Sequence, residues 1–234
     1  MRLLALESAT GAAAVSVASE EGVLVELTVR TARRHVELLH PLMAEALALS
    51  DTALDDLDGV AADVGPGLFT GIRVGLAAAK ALAVARRLPV VGVTSLETLA
   101  HAAAAGGAPA DEIVPVVDLR RGEVAWRLDG ETFHGPPAEL SAALAERDEV
   151  LFCGDGARRY QAELTGRAGW RVAGESLATP PVASLAVLAI AALGSGRGID
   201  PAALAPCYLR EADARINWTT RHDSPAGRGE RHGA

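Results

Sequence analysis

Hydrophobic and polar positions follow two periods along the chain, and these periods predict most of its elements. Short apolar runs separated by turn residues predict three antiparallel strands, at residues 2–7, 12–18 and 23–29. The period then changes, and it predicts helices at 33–49, 70–86 and 95–105 with strands at 59–64 and 89–93 between them. The first half therefore begins with the order βββαβα, and a further strand and helix follow.

The second half repeats this order more loosely after a predicted linker at residues 106–111. Strands are predicted at 113–119, 123–128, 131–134 and 149–153, and helices at 138–146, 157–164 and 182–193. We therefore predict an α/β protein with mixed sheets, an N-terminal lobe at 1–105 and a C-terminal lobe at 106–209. Residues 210–234 are charged and glycine-rich without periodicity, which predicts a flexible tail. Two βββαβα lobes resemble the actin-like (RNase-H-like) ATPase fold.

The helix at 70–86 has an unusual series of small side chains. Gly71, Gly75 and Ala79 are four residues apart, and Ala78 and Leu82 lie beside them. A glycine inside a helix costs roughly 1 kcal/mol relative to alanine, so two of them indicate that something approaches the backbone closely. Either the series packs inside one domain, or the helix also packs against the helix of a partner.

Composition and charge restrict the class of protein. The chain is 50% hydrophobic but 3% aromatic, so its core is built mainly from alanine, valine and leucine. The net charge of −8 makes it a poor binder of nucleic acid by itself, and a role with RNA needs a local basic patch or a basic partner. Two distant cysteines, no signal-peptide pattern and no apolar run of about 20 residues predict a cytoplasmic protein without a membrane segment.

Two groups of residues are candidates for binding chemistry. Glu7, Ser8 and Thr10 end the first predicted strand, and Gly65 and Gly67 flank a proline before the small-residue helix. In actin-like ATPases such positions face phosphates, so these residues form a hypothetical vestigial phosphate loop, the alternative being an ordinary polar turn. The glycines lack the spacing of a P-loop.

The histidine pair on the first predicted helix has the wrong spacing for a metal site. His35 and His40 point about 140° apart on a helix, whereas paired ligands need spacings of three or four residues. His35 shares an apolar arc with Leu38 and Leu42, which indicates a packed or interface face. We therefore predict no metal ligands here.

Several segments resemble the bacterial TsaB (YeaZ) family. They occur in the order LLALES at 3–8, RRHVELL at 33–39, GPGLFTGIR at 65–73, VGVTSLE at 91–97, DLRRGEV at 118–124 and PCYLR at 206–210. Leu68 and Val36 depart from the family pattern, which has serine at both positions. The family's fold is the two-lobed actin-like one.

The resemblance also implies that this chain is a partner and not the enzyme. The catalytic paralogue TsaD holds a metal with two histidines and an aspartate, and the matching positions here are Ser95, Leu99 and Ala183. A hydroxyl and an alkyl group do not replace imidazole ligands. The implied role is a non-catalytic scaffold in the complex that moves a threonylcarbamoyl group from threonylcarbamoyl-AMP to the adenosine beside the anticodon of tRNAs reading codons that begin with A.

The implied partners are a TsaD-like paralogue, a TsaE-like ATPase and, within the complex, tRNA. The chain alone is expected to form a homodimer, and to hold no tight cofactor because ATP and metal belong to the partner subunits. The predicted partner interface consists of His35, Leu38, Leu42, Gly71, Gly75, Ala78, Ala79 and Leu82. The alternatives are an autonomous actin-like enzyme, either a peptidase or a kinase, and a homodimeric regulatory protein.

Overall fold

The computed structural model describes residues 1–31, 33–108 and 112–209. Within these ranges the chain forms two five-stranded mixed sheets. The strands are β1 (Arg2–Glu7), β2 (Ala12–Ser19), β3 (Gly22–Arg30), β4 (Gly59–Asp63), β5 (Val90–Val93), β6 (Glu112–Arg120), β7 (Glu123–Leu128), β8 (Glu131–Gly135), β9 (Val150–Cys153) and β10 (Trp170–Val172). The helices are α1 (His35–Leu49), α2 (Phe69–Arg86), α3 (Ser95–Ala105), α4 (Pro137–Ala143), α5 (Asp155–Arg159), α6 (Gln161–Leu164) and α7 (Val182–Gly194).

The two sheets have the same topology. The strand order is β3-β2-β1-β4-β5 in the first sheet, and β8-β7-β6-β9-β10 in the second when it is read in the same direction. In each sheet a three-stranded antiparallel meander leads into parallel strands, since β1 pairs in parallel with β4 and β6 with β9. The predicted pair of βββαβα lobes with mixed sheets is confirmed.

The first sheet is buried on both faces at β1, β2 and β4, whose residues are mostly apolar, whereas the edge strand β3 is largely exposed. Alternating side chains of β1 point to opposite faces: Leu4 and Leu6 pack with α1 and α2, while Leu3 and Ala5 pack with α7. Helices α1 and α2 therefore lie side by side on one face, and α7 covers the other.

Helix α3 joins the two lobes. Its buried side chains Leu96, Leu99 and Ala103 form one cluster with Val117 and Cys153 of the second sheet. The other face of the second sheet is covered by α4, α5 and α6. Thus α3, which follows the last strand of the first sheet, packs directly on the second sheet.

Several predicted boundaries need correction. Helix α2 begins at Phe69, after the extended residue Leu68, one residue before its predicted start. The helix predicted at 157–164 consists of two short helices that meet at Tyr160, and β10 was not predicted. Helix α7 packs on the first sheet, so the predicted C-terminal lobe at 106–209 is too long. The predicted tail at 210–234 and the end of the predicted linker lie outside the described residues.

Candidate functional site

A pair of buried carboxyl groups lies where two parallel strands of the first sheet end. Glu7 is the last residue of β1 and Asp63 the last of β4, and the register of these strands places the two residues beside each other. Both side chains are almost fully buried. Burial raises the pKa of both carboxyls, and the charge of Asp63 adds to the rise at Glu7, whose pKa lies well above its usual range. The pair therefore favours holding a proton.

The hydrogen bonds of this pair come from its own lobe. Thr10 donates to Glu7 Oε1 through both its backbone nitrogen, at 3.1 Å, and its hydroxyl, at 2.9 Å. Asp63 accepts a bond of 2.7 Å from the backbone nitrogen of Gly65 and bonds of 2.8 Å from the Ser95 hydroxyl to each of its oxygens. Glu7 Oε2 is buried and receives no bond from a hydroxyl or N–H group among the described residues, while a side-chain hydrogen bond joins the two carboxyls to each other.

The loop between β4 and α2 does not present a row of free backbone N–H groups. Gly65 N donates to Asp63, Leu68 N donates to the Ala9 carbonyl at 2.6 Å, and Pro66 has no N–H. A Cβ on Gly67 would lie 2.1 Å from the same Ala9 carbonyl oxygen. Residues of the hypothetical phosphate loop thus pack on one another, which leaves little room for an anion between them.

The small residues of α2 face the chain's own first loop. A Cβ on Gly71 would lie 2.0 Å from the Ser8 carbonyl oxygen, and one on Gly75 would lie 2.5 Å from Ser8 Oγ. The Ser8 hydroxyl donates to the Gly71 carbonyl at 2.8 Å. The inferred close approach is real, but the approaching group is the loop after β1.

Five of the eight predicted interface residues are therefore not available to a partner. Gly71, Gly75, Ala78 and Ala79 are buried within the first lobe. His35 is also buried, and its Nε2 lies 2.9 Å from the Thr10 carbonyl, so this ring nitrogen donates to its own lobe. The expectation that these five residues form the partner interface is wrong, because the sheet and the first loop already cover them.

The opposite side of α1 and α2 is exposed and largely apolar. The predicted residues Leu38, Leu42 and Leu82 are half-buried at its margin. Two more strongly exposed side chains were missed: Val36, in the first turn of α1, is 61% exposed, and Val84, in the last turn of α2, is 67% exposed. Two exposed alanines of α2, Ala77 and Ala81, continue the surface. We call Val36, Leu38, Leu42, Ala77, Ala81, Leu82 and Val84 the α1/α2 face. The spacing of Ala77, Ala81 and Val84 was the signal in the sequence that could have identified it.

The positions that match the paralogue's histidines have structural roles in this chain. Ser95 is bound to Asp63, and Leu99 is fully buried in the cluster between the lobes. Among the described residues no group of three histidine, cysteine, aspartate or glutamate side chains is placed to hold a metal ion.

The second lobe has its own carboxyl pair near the ends of β6 and β9. Asp118 accepts ion pairs from Arg120 at 3.0 Å and from Arg159 at 3.4 Å, and its side chain is 2% exposed. Its backbone nitrogen donates to Asp155 Oδ1 at 2.9 Å. Burial raises the pKa of Asp155 to about 6. Here arginines from both sides balance the buried charge.

The segment around Cys207 packs against α2 and the loop before it. Arg73 Nε donates to the Tyr208 hydroxyl at 2.9 Å, and the Arg73 guanidinium lies 3.8 Å from the centre of the Phe69 ring. Cys207 N donates to the Val64 carbonyl at 2.7 Å. The motif at 206–209 therefore has a structural role, because it covers one side of the loop before α2.

Two lobes of one topology, with carboxyl groups at matching strand ends, define an actin-like ATPase fold of the α/β class. Residues 13–147 match the family model described as "TsaD: tRNA N6-adenosine threonylcarbamoyltransferase". The chain belongs to the TsaB (YeaZ) family within this group. Among the described residues, no helix is both long and apolar enough to cross a bilayer.

Three relatives illustrate the match. The tRNA threonylcarbamoyladenosine biosynthesis protein TsaB of Escherichia coli is 34% identical over 143 residues, which cover 59% of this chain and 61% of that protein. The Bacillus subtilis protein of the same name is 29% identical over 233 residues, which cover 93% of this chain and 98% of that protein. The structure of YeaZ from Pseudomonas aeruginosa superposes with a TM-score of 0.75 at 27% identity, covering 89% of this chain and 100% of that one.

Proposed function

We propose that this chain is a non-catalytic subunit in the formation of threonylcarbamoyladenosine in tRNA. The observation that carries the proposal is the role of Ser95 and Leu99, because each is committed to the fold at a position where the paralogue holds a metal-binding histidine. The names of the E. coli and B. subtilis relatives support the pathway. The chemistry then belongs to a TsaD-type subunit, which receives the metal, and ATP belongs to the partner subunits.

The α1/α2 face is the surface on which the TsaD-type paralogue would dock. Each of the two neighbouring helices exposes a valine, and α2 also exposes alanines between its charged positions. Leaving this apolar surface in contact with water is unfavourable. Small residues also allow another helix to approach closely. The same face can pair with a second copy of the chain when the paralogue is absent. A TsaE-like ATPase and tRNA join the heterodimer in this scheme.

The experiment is depletion of the protein, followed by complementation and mass spectrometry of threonylcarbamoyladenosine in bulk tRNA. Depletion is expected to lower the modified nucleoside, and the wild-type chain to restore it. An unchanged level after depletion would contradict the proposal.

A matched pair of variants tests the docking surface. Val84→Glu places a charge on the α1/α2 face, whereas Val187→Glu places one at an exposed position of α7, which lies on the other face of the sheet. Both should fold, since exposed substitutions usually change stability by about 0.5 kcal/mol or less. Only Val84→Glu is expected to abolish the heterodimer in light scattering and to fail in complementation. Equal behaviour of the two variants would place the interface elsewhere.

A further inference from the structure

Six charged side chains form two ion-paired clusters that adjoin at the neighbouring residues Arg158 and Arg159, and one of the clusters joins the two lobes. Arg30, at the end of β3 in the first lobe, binds the Glu175 carboxylate and also donates to the Glu175 carbonyl at 2.9 Å. Arg158 of α5 binds the other oxygen of that carboxylate at 2.5 Å. The next residue, Arg159, binds Asp118 together with Arg120. We call Arg30, Arg120, Arg158, Arg159, Asp118 and Glu175 the interlobe arginine network.

The network carries more positive than negative charge. It contains four guanidiniums and two carboxylates, and two exposed arginines, Arg33 and Arg34, follow shortly after Arg30. With Arg121 of the β6–β7 turn the arginines number seven, against four carboxyl groups when the adjoining Asp155 and Glu123 are included. This region is therefore positively charged, although the net charge of the whole chain is −8.

The guanidiniums remain accessible although they are paired. The side chains of Arg30, Arg120 and Arg159 are each slightly more than half exposed. A guanidinium has five N–H donors in a planar fork, and each carboxylate here engages part of that fork. Donors in both clusters are therefore left for an outside anion.

We propose that the interlobe arginine network is the surface by which this subunit holds the phosphate backbone of tRNA in the assembled complex. The inference rests on the proposed function. Phosphates are the partners that several neighbouring arginines recognise best, through charge-assisted paired hydrogen bonds. A protein partner would require an apolar centre, and the aromatic contact of the network is the half-buried Tyr160 beside Arg159.

The test measures the binding of unmodified tRNA to the chain alone and to its complex with the TsaD-type paralogue, by fluorescence anisotropy over a range of salt concentrations. Arg30→Gln combined with Arg158→Gln removes two cations and leaves Glu175, which is exposed and tolerates the loss. We expect binding to weaken about tenfold near physiological salt, and the slope of log K against log salt to become smaller by about 1 to 2.

Two further variants make the result specific. Glu175→Gln removes the carboxylate that competes with phosphate, and it is expected to strengthen binding several-fold, the opposite sign. Arg147→Gln combined with Arg171→Gln removes the same number of charges at the other edge of the second sheet, where these arginines pair with Glu112 and Glu149. This control should stay within about twofold of the wild type.

Two outcomes would overturn the inference while leaving the proposed function intact. One is equal tRNA binding by the network variant and the control variant in a complex that forms normally. The other is loss of the complex itself in the network variant, because the network would then bind protein. Normal modification of tRNA in cells depleted of the chain would contradict both this inference and the proposed function.

Discussion

Each lobe places two carboxyl groups near the ends of its central parallel strands, but the two pairs are stabilised differently. In the first lobe Glu7 and Asp63 are enclosed by hydroxyl and backbone donors and share a side-chain hydrogen bond. In the second lobe Asp118 is bound by Arg120 and Arg159, which are partly exposed. Burial raises the pKa of both carboxyls in the first pair, whereas in the second pair arginines compensate the charge of Asp118 and burial raises the pKa of Asp155.

This difference decides which of the two carboxyl pairs an outside ligand can reach. The first pair is closed because the loop after β1 packs directly on the backbone of α2, at Gly67, Gly71 and Gly75. The second pair is open because its arginines are partly in solvent. An anion can therefore reach the arginines of the second pair, whereas the first pair is covered by the protein itself.

The largest expected effect is on the closure of the first pair. Gly71→Ala puts a methyl group 2.0 Å from the Ser8 carbonyl oxygen, so backbone must move. We expect a loss of about 3 kcal/mol in the free energy of unfolding, as for severe overpacking. In a chain of this length that corresponds to a fall in Tm of about 10 °C, measurable by calorimetry.

Gly11→Ala is the matched control for this substitution. A Cβ at Gly11 meets nothing within 4 Å among the described residues, and its effect should be below about 0.5 kcal/mol. Similar losses in the two variants would show that the close packing of the first loop on α2 does not account for the effect.

The next effect is a pH dependence of stability in the second pair. Because burial raises the pKa of Asp155 from 3.8 to about 6, the folded state holds this proton more tightly than the unfolded state. That contribution to stability is present below about pH 4 and is lost as the pH rises through 6. Asp155→Asn lacks this loss, and Asn can still accept the bond from the Asp118 nitrogen.

We therefore expect the stability of Asp155→Asn relative to the wild type to increase by about 2 to 3 kcal/mol between pH 4 and pH 6.5. Urea unfolding at several pH values measures this difference. Glu7→Gln should show the same sign, with a window that begins near pH 4.5, because burial raises the pKa of Glu7 as well. A difference that does not change with pH would contradict the assignment for either residue.

The sequence predicted the elements of this fold better than the contacts of its site. Strand β1 and helix α3 match their predicted bounds because their periods are regular and Thr94 caps α3 through a capping box with Glu97. The glycines of α2 correctly indicated a close approach. Their partner was misassigned, because Ser8 and Gly71 are 63 positions apart and periodicity along one helix carries no information on what lies against it.

The arginines show the same limit of prediction from sequence. Pairs of arginines at 33/34, 120/121 and 158/159 are visible in the sequence. That Arg120 and Arg159 share Asp118, and that Arg30 and Arg158 share Glu175, depends on contacts between distant parts of the chain. The strand β10, with three residues, is too short for a periodic signal. The local pattern of apolar and polar residues predicted the helices and strands. Which side chains contact one another is determined by packing between distant parts of the chain.

The smallest expected effect is on the cations that neutralise Asp118. Arg120→Gln combined with Arg159→Gln leaves this almost fully buried carboxylate without either guanidinium. Breaking a fully buried pair costs about 3 to 5 kcal/mol, but both arginines are half exposed and water can replace them in part, so we expect about 1 to 2 kcal/mol. Urea unfolding at pH 7 measures the loss.

Adding Asp118→Asn to the double variant tests the cause of that loss. If the unpaired charge is responsible, the neutral amide should recover most of the stability, since Asn keeps the shape of the side chain while removing the charge. A triple variant no more stable than the double variant would mean that the arginines stabilise the second lobe through packing of their stems on Tyr160 and the β6–β7 turn. No equivalent variant can be made in the first lobe, because no arginine is described in contact with Glu7 or Asp63. The two pairs of buried carboxyls are therefore stabilised by different groups.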